Sequence, residues 1–306
     1  MASRSSRRPR RDSRSSCGRP LASPSEWPGR SCPKSCVATC RFRSSDGSAS
    51  ALASSLRRRR DMQAPLPSFS LDVAPCFVVS PHLDDAVFSC GMLLASRPGS
   101  VVCTVFCGIP QPPMRTPWDQ SAGHSDSTQA MRSRIVEDEQ ALALLGARAV
   151  RLPFFDSQYE ATPSSAEVAQ ALATAWRQNG RLPVVAPLGL HHSDHVLVAD
   201  ACRLLAHEQR LPDMILYEES PYRTIPAVAR RRYEALNRQG YRFALLSESQ
   251  ANDPSMRRAG AANAKWRAVH AYRSQLRAFN DAHPHDLTEP ERYVRLAIDR
   301  ARPPRR

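Results

Sequence analysis

The sequence lacks the long apolar runs that mark membrane-spanning and exported proteins. No stretch of its 306 residues approaches the roughly 20 uninterrupted apolar residues of a membrane span. No apolar core of a signal peptide is present either. We therefore expect a chain without a membrane span.

Two common enzyme signatures are also missing. No G-x-G-x-x-G follows the first predicted strand, which disfavours a dinucleotide-dependent dehydrogenase. No G-x-S-x-G occurs anywhere, which disfavours a serine hydrolase of the α/β-hydrolase type.

The nine cysteines do not form an obvious disulfide framework. Five of them fall in apolar runs, and their odd number indicates reduced core thiols: Cys76, Cys90, Cys103, Cys107 and Cys202. This pattern is typical of the cytoplasm, where we expect the protein to be located. The other four lie within residues 17–40, and we attribute their C-x3-C-x3-C spacing to chance.

The net charge of +14 belongs to one end of the chain. Residues 1–60 hold 15 of the 43 basic residues but only three of the 29 acidic residues, which leaves residues 61–306 with 28 basic and 26 acidic residues, a charge of +2. The body therefore carries no electrostatic footprint for nucleic acid, and we expect it to bind none.

The composition divides the chain into two parts. Residues 1–61 are rich in Arg, Ser and Pro and cannot bury enough apolar surface to fold, so we expect a disordered tail. A targeting segment, an arm for nucleic acid and a reading frame that begins before a natural start at Met62 remain alternative interpretations. Residues 62–306 are expected to form one domain.

From residue 74 the body alternates apolar strand patterns with amphipathic helix patterns. The alternation predicts a Rossmann-like three-layer αβα sandwich with a mostly parallel sheet. Strands are predicted at 75–80, 100–109, 149–155, 182–190 and 213–220, with a further one possible at 242–247 in a mainly helical C-terminal part; helices are predicted at 86–96, 130–146, 165–178 and 193–209.

Two polar motifs follow predicted strands, "PHLDD" after the first and "LHHSDH" after the fourth. Ligands of open α/β sheets bind at the carboxyl ends of the strands, so both motifs are predicted at one edge. Zinc in a hydrolytic site takes three N or O ligands and a water, and His82, Asp85 and His195 supply such a set. Asp84 is then free to act as general base, and His192 to donate a proton or stabilise an oxyanion.

Simpler interpretations exist for each motif alone. Asp85, just before an apolar helix, is a good cap, and Asp84 suits the helix dipole. "HHSDH" alone fits a solvated loop in which Ser193 or Asp194 caps the next helix. Two such motifs at matched strand ends make the metal interpretation the better one.

The paired motifs resemble those of the PIG-L/LmbE-type zinc-dependent de-N-acetylases. Members of this family show H-P-D-D-E, then R-x-x-E in a helix ending in L-G, then H-P-D-H; here "PHLDD", Arg134 with Glu137, Leu145-Gly146 and "HSDH" match over Val78–Tyr222. The resemblance implies that His82, Asp85 and His195 bind the metal, that Asp84 is the base and that His192 is the polarising or proton-donating histidine.

Three positions depart from the family pattern without removing a ligand or the base. Leu83 and Ser193 replace prolines, and Ala86 stands where many members have glutamate. Among weaker candidates, Arg134 is either a substrate contact or half of an ion pair with Glu137.

Trp118 lies in a polar loop after the second strand and is a candidate sugar platform. Glu218 ends a strand on the same edge and is expected to orient a ligand histidine.

These residues predict a metal-dependent hydrolase that removes an N-acyl group, with acetyl expected, from a small molecule containing an amino sugar, by attack of a zinc-bound water. Zinc is the expected ion, although Fe²⁺ or another divalent ion fits the same ligands. Two alternatives remain: a metal-retaining but non-catalytic partner protein of the same fold, and a nucleic-acid binder that acts through the tail.

Overall fold

The computed structural model describes residues 74–211, 213–246, 259–279, 287 and 289–298, so the predicted tail lies outside the described residues. Within them the chain forms seven strands: β1 (Phe77–Ser80), β2 (Val101–Thr104), β3 (Arg148–Arg151), β4 (Val184–Pro187), β5 (Asp213–Tyr217), β6 (Arg242–Leu245) and β7 (Tyr293–Ala297). The helices are α1 (Asp85–Ser96), α2 (Pro117–Ser121), α3 (Ser127–Leu144), α4 (Ser165–Gln178), α5 (Ser193–Glu208), α6 (Ser220–Arg223), α7 (Val228–Arg238), α8 (Ala259–Val269) and α9 (Arg273–Ala278), with a 3-10 turn at Ser157–Tyr159.

The strands form one mixed sheet in the order β3-β2-β1-β4-β5-β7-β6. The first five are parallel, whereas β7 runs antiparallel to both of its neighbours. The chain moves outward from β1 to β3 and then returns to the other side of β1 with β4. The crevice at the carboxyl ends of β1 and β4 is therefore the topological switch point, where α/β sheets bind their ligands.

Helices cover both faces of the sheet. Because side chains alternate along a strand, Phe77 and Val79 of β1 join the core beneath α4, α5 and α7, while Val78 joins the opposite core beneath α1, α3, α8 and α9. This arrangement confirms the predicted three-layer αβα sandwich with its mostly parallel sheet. No helix of the described part of the chain has both the length and the apolar character that crossing a bilayer requires.

All six predicted strands are present, but each is shorter than its apolar run. The sequence did not predict β7, which lies between β5 and β6. An arginine interrupts its short apolar pattern: Arg295 is buried in the strand, and its Nε donates to Asp213 Oδ2 on β5 at 2.8 Å. The compensating charge lies about 80 residues away in the chain, so the local pattern alone could not show that this arginine belongs in a core strand.

Candidate metal centre

The two polar motifs meet in space because their strands are neighbours. β1 pairs in parallel with β4, with Phe77 opposite Val184, so the residues that follow both strands emerge side by side. The ring centroid of His82 lies 5.3 Å from that of His195 and 5.4 Å from that of His192. The predicted edge thus carries both histidine motifs in one cluster.

Three donor atoms converge on one point of this cluster. Asp85 Oδ2 lies 3.2 Å from His82 Nδ1 and 3.1 Å from His195 Nε2, and one ligand atom from each of these residues lies within 4.8 Å of the others. Ligands about 2.0–2.2 Å from a tetrahedral zinc ion lie about 3.3–3.5 Å apart, so this spacing needs little adjustment. His195 Nε2 is buried, and beyond this ion-pair contact with Asp85 it has no hydrogen-bond partner among the described residues. The donor set fits a divalent metal ion.

Each histidine of the set is held on its other ring nitrogen by a carboxylate. Glu219 Oε1 lies 3.3 Å from His195 Nδ1 and also accepts from the backbone amides of Gly189 and Leu190. Asp194 Oδ2 lies 3.0 Å from His82 Nε2 and accepts from the amide of Ser157. Such partners fix the orientation of a metal-binding imidazole and raise its basicity, which leaves Nδ1 of His82 and Nε2 of His195 for the ion.

The orienting carboxylate next to β5 is Glu219, not the expected Glu218. Glu218 instead accepts from the Tyr233 hydroxyl at 2.8 Å and lies 3.6 Å from the Arg292 guanidinium. Neighbouring side chains at a strand end point to different sides, so Glu218 and Glu219 have different partners although they are adjacent in the sequence. Asp194 also escaped the sequence analysis as an orienting group, although it stands inside the "HHSDH" motif.

The histidine and aspartate side chains of the donor set carry complementary charges. Burial opposes a charged His195, but the Asp85 and Glu219 carboxylates outweigh it and raise the pKa of His195 to about 9. Burial likewise opposes the ionised form of Asp85, and His195 and His82 hold the pKa of this carboxyl well below its usual range. The three side chains thus form a buried cluster of complementary charges, and a cation that binds there would displace protons from the histidines.

Asp84 stands beside this set without being part of it. It occupies the N-cap position of α1, yet its side chain makes no capping hydrogen bond; Ser80 Oγ accepts from the amide of Ala86 instead. Burial, followed by repulsion from Asp85, raises the pKa of Asp84 to about 7. A carboxylate with this pKa, next to three converged donors, has the properties of a general base.

His192 is the N-cap residue of α5, whereas the simpler interpretation of the motif assigned that place to Ser193 or Asp194. Its Nδ1 accepts from the amide of Asp194 at 3.2 Å, so the ring proton of the neutral form is on Nε2. Burial, and then the charge of His82, lower the pKa of His192. A neutral, partly exposed imidazole with a donating Nε2 is therefore available beside the donor set.

Arg134 and Trp118 make protein contacts of their own. Arg134 Nη2 donates to the buried Asp119 Oδ1 at 2.6 Å, so its ion-pair partner is not Glu137, which binds Ser274 of α9. The Arg134 charge partly offsets the rise in the pKa of Asp84, so the guanidinium lies near the site.

The Trp118 indole donates to Gln275 and packs edge-on against Phe279. Substrate contacts by Arg134 and Trp118 stay predictions.

The Glu219 carboxylate gives the first testable consequence of this geometry. We expect Glu219→Gln to weaken zinc binding by about 10–100-fold, because His195 loses the charge that orients it and raises its basicity. Competition with a chromogenic chelator measures the affinity. Glu218→Gln is the matched control at the adjacent position and should leave the zinc affinity unchanged; equal affinities of both variants and the wild type would refute the assigned role.

Comparison with known proteins supports the same assignment. A family model described as GlcNAc-PI de-N-acetylase matches residues 77–206, which include both motifs. No curated protein matches the sequence significantly.

Several solved structures share the fold. A deacetylase from the teicoplanin biosynthesis pathway is 24% identical, with a TM-score of 0.57 over 72% of this chain and 96% of its own. The deacetylase of the A40926 pseudoaglycone is 23% identical, with a TM-score of 0.54 over 76% and 100% of the two chains. A zinc-inhibited form of a teicoplanin deacetylase is 22% identical, with a TM-score of 0.57 over 72% and 97%. Residues 77–206 match the PIG-L family model, and the chain resembles the PIG-L/LmbE-like deacetylases, as its paired motifs predicted.

Proposed function

We propose that the protein is a metal-dependent N-deacetylase that acts on a small molecule containing an N-acylated amino sugar. The observation that carries this proposal is the combination of a complete donor set, His82, Asp85 and His195, with an uncommitted base and a neutral histidine at its edge. A purely structural metal site has four protein ligands and needs neither of these groups.

The residues divide the reaction between them. When bound, the metal ion acidifies water and polarises a carbonyl oxygen. Asp84 takes a proton from the attacking water as the water oxygen forms a bond to the amide carbon. His192 Nε2 donates a hydrogen bond to the carbonyl oxygen on which negative charge develops. The C–N bond then breaks, and the amine leaves with the proton that Asp84 took from the water.

The substrate class and cellular setting are inferred from relatives and from the described thiols. The solved relatives above are named as deacetylases of teicoplanin biosynthesis and of the A40926 pseudoaglycone, which supports an amino-sugar conjugate as substrate and a role in secondary metabolism. The five described cysteines are all free and buried, in keeping with a reducing cytoplasm. Zinc is the proposed ion, and its His/Asp/His ligation also accommodates Fe²⁺.

The main alternative is a metal-retaining protein without activity. The retention of Asp84 argues against it, because a buried carboxylate whose pKa is raised mainly by burial is costly to keep in a decayed enzyme. Nucleic-acid binding by residues 1–60 is a separate hypothesis. It is tested by comparing the salt-dependent DNA binding of the full chain with that of a chain without these residues, and equal binding by both would refute it.

Removal and replacement of the metal test the proposal directly. We expect the full chain to release acetate from N-acetylglucosamine conjugates, to lose this activity after dialysis against a chelator, and to regain it with one equivalent of zinc. Acetate and free amine are measured together, because amide hydrolysis yields both in equal amounts. Stoichiometric metal binding without acetate release from any N-acylated amino sugar would favour the non-catalytic alternative.

A further inference from the structure

Tyr222 is an aromatic residue of the site to which neither motif assigns a role. It lies on the short helix α6, three residues after Glu219, and its amide donates to the Glu219 carbonyl. Its ring centroid is 5.0 Å from that of His195, in an edge-on arrangement, and 6.5 Å from that of His192, in a nearly parallel one. The ring therefore lies against both a proposed metal ligand and the proposed hydrogen-bond donor.

The Tyr222 hydroxyl has no hydrogen bond within the described residues, unlike those of five other tyrosines. Those five donate their hydroxyl to a protein oxygen: Tyr159, Tyr217, Tyr233, Tyr272 and Tyr293. Tyr222 is half-buried, so its hydroxyl is available to an acceptor that a bound substrate supplies.

A phenol keeps its proton at neutral pH, so this hydroxyl can donate a hydrogen bond.

The position of the ring is fixed by a strained neighbour. His191 has a φ of +59°, a conformation that a residue other than glycine rarely adopts, and its ring packs against Tyr222 with a centroid distance of 5.4 Å. Such backbone strain persists only where the surrounding structure holds it, and it clusters at functional sites. Glu219 holds the same loop through the amides of Gly189 and Leu190, so one short helix sets both His195 and Tyr222.

We propose that Tyr222 is a further catalytic residue, whose hydroxyl donates a hydrogen bond to the acyl oxygen of the substrate as that oxygen becomes negative. The proposal rests on the proposed deacetylation. It places a second neutral donor beside His192, and no proton leaves the phenol, so the step changes no protonation state. A donor that strengthens its bond in the transition state raises kcat more than it lowers KM.

Tyr222→Phe keeps the ring and removes only the hydroxyl. We expect kcat to fall by about 10²–10³-fold, as for the loss of one oxyanion donor, with KM changed by less than about threefold and zinc content unchanged. Tyr233→Phe is the matched control, because its hydroxyl binds Glu218 within the protein; its kcat should equal that of the wild type. An unchanged kcat for Tyr222→Phe, with or without a raised KM, would overturn the proposal.

A binding measurement separates this proposal from the proposed function. Acetohydroxamate, an acyl analogue that chelates zinc, is titrated calorimetrically into the zinc-loaded full chain and into both variants. Weaker binding by Tyr222→Phe alone supports a hydroxyl donor at the acyl oxygen even if no deacetylation substrate is found. Equal binding by the wild type and Tyr222→Phe, combined with equal kcat where a substrate is known, removes the hydroxyl from the site.

Discussion

Asp84→Asn is expected to reduce turnover by orders of magnitude while leaving the metal in place. The amide has nearly the size of the carboxylate, so the packing around this buried position is kept, but it cannot accept a proton. General base catalysis contributes about 10²–10⁴-fold, and we expect kcat to fall by that amount. Zinc per chain should equal that of the wild type, because Asp84 supplies none of the converging donor atoms.

The control for this variant is an aspartate whose role is structural. Asp126 caps α3 through the amide of Gln129 at 2.9 Å, and Asp126→Asn removes the same charge from an exposed helix start. Its kcat and zinc content should both match the wild type. If Asp84→Asn loses zinc as well as activity, Asp84 is a ligand and the division of roles between the adjacent aspartates is wrong.

The pH dependence of the wild type follows from the same carboxylate. Burial and the Asp85 charge are the main causes that raise the pKa of Asp84 to about 7. A cation bound to Asp85 would oppose the effect of the Asp85 charge. The base must be ionised to work, so kcat/KM should decline as the pH falls through a pKa below 7 and level off above it. This acid limb is expected to be missing from the residual activity of Asp84→Asn.

The meeting of the two motifs was predictable from the sequence only in part. Strand patterns before "PHLDD" and "LHHSDH" placed both at the carboxyl edge of a parallel sheet, which is a property of the fold class. Their direct contact depends on β4 lying next to β1, and this depends on strand order, which no local pattern encodes. His82 and His195 are 113 positions apart in the chain, yet the structure brings them onto the same Asp85 oxygen.

Residues that act through other residues were the least predictable. Glu219 and Asp194 bind no metal in the proposed site, and each is recognisable only from the histidine nitrogen that it faces. Helical spacing offered Glu137 as an ion-pair partner of Arg134, as the alternative to a substrate contact. In the structure Arg134 pairs with Asp119 from a different helix. Such contacts are decided by tertiary packing, which outweighs the small free energy of an i,i+3 pair.

Loss of either histidine ligand is expected to remove the metal altogether. The full chain should hold about one zinc ion at this site, and His82→Ala and His195→Ala should hold none after dialysis, because two remaining ligands do not make a stable zinc site. Elemental analysis measures the metal. His207→Ala, near the far end of the same helix as His195, is the matched control and should keep its zinc.

His82→Ala and His195→Ala are expected to destabilise the fold to different degrees, so loss of zinc can be distinguished from loss of the fold. His195 is fully buried between Asp85 and Glu219, so its removal leaves two buried carboxylates without their common partner, at a cost of about 3–5 kcal/mol in the free energy of unfolding. His82 is 21% exposed, and its loss leaves Asp85 paired with His195 and Asp194 with the hydrogen bond from the Ser157 amide. His82→Ala should therefore lose zinc with a denaturation midpoint much closer to that of the metal-free wild type than His195→Ala shows. Zinc retained by a folded His82→Ala chain would show that the ion binds elsewhere, and the deacetylase mechanism built on this donor set would fall with it.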